Sequence, residues 1–181
     1  MEIKHIPIDG PLVIQPKVFF DERGYFFESF NQAKFTEAGV QEVFVQDNQS
    51  MSQKGAVRGL HFQAPPHAQG KLVRVIQGAV YDVIVDIRKN SPTYGQHFGI
   101  ELSASNFTTF WIPAGFAHGF STLEDNTIFQ YKCTDLYHKE SEGGILWNDP
   151  DLNIDWKVAN PILSEKDQLN TRFKDFQSPF N

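Results

Sequence analysis

The sequence predicts a mainly β protein, a sandwich or small closed barrel with only a few short helices. Two observations lead there: from about residue 43 to 134, short β-rich runs alternate with Gly, Pro, Asn and Ser clusters, and helix start and stop signals are scarce. Size is a third, because 181 residues suffice for one substantial core and fall short of two ordinary domains, so residues 1–181 are read as a single domain.

Taken in chain order, aromatic and β-branched residues mark strands at 18–20 and 24–30. Asn31 as a cap and Gly39 as a terminator bracket a short helix. Strands follow at 44–50, 57–63 and 71–76, and Gln77-Gly78 turns the last of these into a hairpin with 79–88. Along 79–88, Ala79, Tyr81, Val83, Val85 and Ile87 share one face, while Asp82, Asp86 and Arg88 share the other, the alternation of a strand. Runs at 97–102, 109–112, 119–123 and 127–134 bring the set to a number that suits a small closed barrel, and Ser164 caps a second short helix over 165–170. No internal repeat and no low-complexity linker interrupts this pattern.

Composition narrows the function. A net charge of -6 with no block of Lys and Arg speaks against a nucleic-acid partner. The lone Cys133 rules out an internal disulfide, the start MEIKHIPIDG lacks the apolar stretch of a signal peptide, and no run approaches a membrane span. A reduced, cytoplasmic protein with no membrane partner is expected. With 17 Phe, 5 Tyr and 3 Trp, the chain carries more aromatic surface than its core requires, so some rings are expected to line a pocket.

The spacing Gly55, five residues, His61, one residue, Gln63, then Lys71, six residues, Gly78 outlines the first cupin motif with its metal positions altered. Pro113-Ala114-Gly115-Phe116-Ala117-His118 fits the core of the second, with Thr122 in place of the usual Asn. Two half-motifs in order point to a cupin-type jelly-roll barrel. A metal cupin would need a second His at position 63 and a Glu near 71, whereas Gln63 and Lys71 stand there. An ammonium group repels a divalent ion and leaves His61 free to act as a base.

The strings DERGYFFESF, VQDN, VRGLHFQ, QGKLVRV, WIPAGFAHGF, YKCTDLY, LWNDP and LSEKD occur in the order seen in dTDP-4-dehydrorhamnose 3,5-epimerases, and the resemblance covers nearly the whole chain. It implies epimerisation of a dTDP-linked 4-keto-6-deoxyhexose without metal or organic cofactor, in a homodimer, on the route to dTDP-L-rhamnose and surface polysaccharides. Within it, His61 matches the general base, Asp167 the carboxylate that orients its ring, Lys71 the group that stabilises the enolate, and Tyr131 the acid that returns the proton. Arg23, Phe26, Glu28, Gln46, Asn48, Arg58, Lys71, His118, Glu142 and Lys166 match substrate-holding positions, and Tyr137 the ring stacked on the base. Gln46 and Asn48, two apart on one strand, are expected to face one pocket with Phe44.

Each of these residues also has an ordinary reading. His61 fits a hydrogen-bonded strand histidine, Lys71 a solvated strand lysine, Tyr131 a strand tyrosine bonded elsewhere, and His118 a satisfied core histidine. Asp167 stands three residues after Ser164, the spacing of a capping box. Trp147 and the Asn148 to Pro150 run read equally as a plain turn, and His5, His67, His97 and His138 as structural or exposed. Phe62 and Leu136 depart from the family pattern and leave inversion at one carbon as an alternative; a ketoisomerase, which uses similar enolate chemistry, is another. A metal cupin and a non-catalytic sugar-binding module are the more distant readings.

Overall fold

The computed structural model describes residues 1–181. Its strands in chain order are β1 (Glu2–His5), β2 (Leu12–Gln15), β3 (Val18–Asp21), β4 (Gly24–Phe27), β5 (Gln46–Ser52), β6 (Val57–Gln63), β7 (Lys71–Gln77), β8 (Ala79–Asp86), β9 (His97–Ser103), β10 (Thr109–Ile112), β11 (Phe116–Thr122), β12 (Thr127–Cys133) and β13 (Glu142–Gly144). The two short helices are α1 (Gln32–Glu37) and α2 (Glu165–Gln168).

Six strands make one sheet in the order β1-β2-β10-β7-β12-β5, and five make a second in the order β13-β6-β11-β8-β9. Sequence neighbours such as β10 and β11 thus fall in different sheets, the crossing pattern of a mainly β jelly roll. β3 and β4 pair only with each other and form a separate hairpin.

Three apolar clusters hold the layers together. The inter-sheet core gathers Val73, Ile84, Leu102, Phe110, Phe120 and Phe129, with Phe120 of one sheet stacked on Phe129 of the other at 4.3 Å between centroids. Behind the five-stranded sheet, the segment after β13 lays Leu152 and Trp156 over Val83, Val85 and Ile87. Behind the six-stranded sheet, α1 packs Phe35 against Leu12, Ile14 and Trp111.

Both faces of β8 are covered in this layering. Asp82 and Asp86 are both 0% exposed although they alternate with apolar residues, because the C-terminal segment covers one face of β8 and the opposite sheet covers the other. Asp86 is satisfied in place by Arg88, Ser91 and Thr93.

Strand existence is otherwise as expected, with shifted ends. The run expected at 44–50 begins at Gln46, that at 24–30 stops at Phe27, that at 119–123 starts at Phe116, and the helix expected over 165–170 ends at Gln168. β1, β2 and β13 were not expected; β13 is Glu-Gly-Gly, which pairs through backbone alone. Gly59 is required where β6 crosses β11, since its φ is +134° and a Cβ there would lie 2.5 Å from the Gly119 Cα. No helix is long and apolar enough to cross a membrane.

Candidate active site

β6 carries Arg58, His61 and Gln63 along one strand, and its antiparallel neighbour β11 sets His118 opposite His61. β8 lies beside β11. Across the barrel, β7 supplies Lys71, β12 supplies Tyr131, and β5 supplies Gln46 and Asn48, with Tyr131 in register with Asn48 and Cys133 in register with Lys71. Between the sheets opens a cleft of about 460 Å³ lined by Asn48, Arg58, His61, Lys71, His118, Tyr131 and Asp167, among others. It shares Asn48, His61, Lys71 and Tyr131 with an outer cavity of about 440 Å³ that reaches Gln46, Tyr137 and Glu142.

His61 Nε2 lies 2.5 Å from Asp167 Oδ1. The carboxylate is 4% exposed and is fixed by the start of α2: Ser164 Oγ accepts from the Asp167 amide at 3.1 Å and donates to Asp167 Oδ2 at 2.9 Å. The cap and the dyad are therefore one arrangement, since the helix turn that Ser164 closes is what aims Asp167 at the imidazole. Burial alone would raise the Asp167 carboxyl; the His61 ring, the Ser164 hydroxyl and the Lys166 ammonium outweigh it and hold it below the usual carboxylate range.

Lys71 lies with Nζ 5.9 Å from the Tyr131 ring centroid. Burial draws its ammonium below the ordinary lysine value, against the opposing pull of Cys133, Asp82 and Glu142. Burial likewise pushes the Tyr131 phenol above its ordinary value, with Asn48 and Arg58 pulling against it. The phenol is thereby kept protonated, the form a proton donor must hold before it acts.

His118, 7% exposed, bonds through Nε2 to Asp82 Oδ2 at 2.9 Å. The satisfied core histidine and the cleft-lining histidine are thus the same residue. Asp82 was missed in the sequence because its alternation with valines resembles that of a solvent face. At the outer cavity the Tyr137 hydroxyl donates to Glu142 at 3.0 Å, and Lys166 pairs with Glu142 at 2.5 Å.

Three expected substrate residues do not reach this cleft. Arg23 and Phe26 lie on the β3–β4 hairpin and Glu28 just beyond it; Arg23 pairs with Asp21, Glu28 pairs with Lys34 at 2.8 Å, and Phe26 is 72% exposed. Phe44 also departs from expectation: Gln46 bonds to Asn48 at 3.1 Å inside the cavity, but Phe44 precedes the strand and packs on Phe30 and Trp111 outside the barrel. Asp149, in the turn after Trp147, is 1% exposed and accepts from the Phe173 amide, pinning the C-terminal segment.

Comparison with known proteins gives one consistent result. The family model described as dTDP-4-dehydrorhamnose 3,5-epimerase matches residues 5–175. A Shigella flexneri protein named dTDP-4-dehydrorhamnose 3,5-epimerase is 54% identical over 176 residues, 97% of each chain. Its namesake from Methanothermobacter thermautotrophicus is 56% identical over 164 residues, 89% of this chain and 88% of the relative. Among solved structures, a dTDP-6-deoxy-D-glucose-3,5-epimerase from Legionella pneumophila in complex with dTDP-4-keto-L-rhamnose superposes with a TM-score of 0.94 at 49% identity, over 97% of this chain and 94% of that one.

Proposed function

The chain belongs to the dTDP-4-dehydrorhamnose 3,5-epimerase family, and from that membership we propose that it converts dTDP-4-keto-6-deoxy-D-glucose to dTDP-4-keto-L-rhamnose by inversion at C3 and C5, a step in dTDP-rhamnose biosynthesis. One observation carries the reading. His61, backed by Asp167, and the Tyr131 phenol stand on opposite sheets of one cleft, as removal of a proton from one face of a carbon and return to the other requires.

With Nε2 of His61 donating to Asp167, Nδ1 keeps the free lone pair and takes the proton from the carbon next to the ketone. The electron pair left behind moves onto the C4 oxygen as an enolate, and Lys71 donates to that oxygen in a site where water is largely displaced. Asp167 steadies the imidazolium. Tyr131 then gives its phenolic proton to the opposite face of the same carbon, and exchange with solvent restores both groups. No atom is gained or lost, and no step calls on a metal or an organic cofactor.

Gln46, Asn48, Arg58, His118, Tyr137, Glu142 and Lys166 are assigned to the substrate, Arg58 to its diphosphate, for which a guanidinium fork is suited. Arg23, Phe26 and Glu28 are assigned to the partner's cleft in a homodimer. They sit on an arm whose Phe20 and Phe26 are 70% and 72% exposed, an apolar surface that a second copy would cover. The lone, buried Cys133 fits a cytoplasmic enzyme.

The test is to incubate metal-stripped protein with dTDP-4-keto-6-deoxy-D-glucose in deuterated water and follow both carbons by proton NMR. Exchange and inversion at C3 and C5 support the proposal. Exchange at one carbon would make this a single-position epimerase, movement of the keto group a ketoisomerase, and no reaction a metal cupin or a binding module.

A further inference from the structure

One cluster of metal-binding side chains has no part in this chemistry. His67 lies in the loop between β6 and β7, and Asp135 and His138 lie in the segment after β12. All three are part-buried, and their ligand atoms lie within 4.8 Å of one another. Nδ1 of His67 is 3.3 Å from Asp135 Oδ2, and the two imidazoles stack with centroids 3.4 Å apart and planes 11° from parallel.

A single side chain ties down the backbone beneath them. Gln63, 4% exposed, donates from Nε2 to the carbonyls of His67 at 2.5 Å and Leu136 at 2.9 Å, and accepts at Oε1 from the His138 amide at 2.8 Å. Gln69 Nε2 adds a 2.7 Å bond to the Asp135 carbonyl. The backbone positions of all three ligands are thereby fixed, and only side-chain torsions remain to be set, which is how outer hydrogen bonds prepare metal ligands.

Two imidazole nitrogens with one carboxylate select a borderline ion such as zinc, nickel or copper(II) over magnesium or calcium, which take oxygen ligands. Ligand atoms about 2.0–2.1 Å from a tetrahedral ion lie roughly 3.4 Å apart, so the cluster must contract by about an ångström. Stacked rings also point their in-plane lone pairs in parallel, so binding has to open the stack. Side-chain exposures of 37% for His67 and 34% for Asp135 leave room for that movement and for water as a further ligand.

We propose that His67, Asp135 and His138 form a site for one borderline divalent transition-metal ion, separate from the catalytic residues, that staples the β6–β7 loop to the segment after β12. Because Tyr137 lies between two of the ligands, the ion also restrains the ring assigned to the nucleotide base. That consequence rests on the proposed function; the site itself does not.

The test uses full-length, tag-free, metal-stripped protein titrated with zinc chloride by calorimetry, and with copper(II) followed by electron paramagnetic resonance. One equivalent of zinc is expected, together with nitrogen coupling from two imidazoles. His138→Ala or His67→Ala should weaken binding by more than the roughly 10- to 100-fold that loss of an outer hydrogen-bonding partner costs, while His61→Asn leaves it unchanged. Circular dichroism establishes that the variants fold. Absence of saturable binding, or binding that survives His138→Ala and disappears in His61→Asn, overturns the proposal. Neither outcome bears on deuterium exchange at the sugar, so the two proposals fail separately.

Discussion

Burial holds the phenol of Tyr131 above its ordinary value, so in the resting cleft it carries a proton to give and is not the base that removes one. Tyr131→Phe should therefore uncouple the two halves of the reaction. Solvent deuterium should still enter through His61, on the face it left, while inversion falls by roughly 10²- to 10⁴-fold, the usual contribution of a positioned acid. NMR of the recovered sugar separates the two, and inversion at the native rate would remove Tyr131 from its role. A second residue bears on stability alone. Asp86 is lowered from 3.8 to about 2: burial by itself would raise it, but bonds from Arg88, Ser91 and Thr93 prevail. Its folded value lies below its unfolded one, so its contribution is complete above about pH 3.8 and is lost as pH falls through about 2. Asp86→Asn should cost on the order of 2 kcal/mol at neutral pH and flatten this acid limb, as read from denaturant unfolding between these pH values.

At the level of elements, α2 is too short to be stable by itself, and its four residues matter as the mount for Asp167. Ser164→Ala removes both the cap and a bond to the carboxylate, so it should lose about 1 kcal/mol of stability and also lower kcat, with KM little changed. Steady-state kinetics beside thermal unfolding would show both effects, and a stability loss with native kcat would detach the cap from the dyad. The sequence displayed the Ser164–Asp167 spacing but presented cap and catalysis as rivals, because proximity to His61, 106 positions away, is a tertiary fact. Strands with clear alternation or a turn signal, such as β7 and β8, were legible. β13 was not, because Glu-Gly-Gly has no side-chain pattern and pairs only because β6 offers it an edge. The burial of Asp82 and Asp86 was not legible for a related reason: period-two alternation tells which residues share a face, whereas what covers that face depends on the rest of the barrel. His61, Lys71, Tyr131 and Asp167 do converge, while Arg23, Phe26 and Glu28 could not be placed from one chain.

Considered as a whole molecule, the β3–β4 arm is the part a single chain leaves without work. If it completes the partner's cleft, a chain with Arg23→Ala and a chain with His61→Asn, each impaired alone, should restore one another when mixed. Random pairing of two-fold dimers gives about a quarter of wild-type sites in an equal mixture. Activity after co-refolding measures this, and no recovery would place the arm's function within its own chain. The barrel itself bears on stereochemistry through the Phe120–Phe129 stack, one ring from each sheet. That pair works as a shim: it sets the clearance across which base and acid face each other, within sheets that pack about 10 Å apart. Both carbons of the sugar must pass through the same gap. Phe129→Leu should therefore slow exchange at C3 and at C5 in equal proportion, and the ratio of singly to doubly inverted product is a quantity this enzyme cannot adjust by loosening its core.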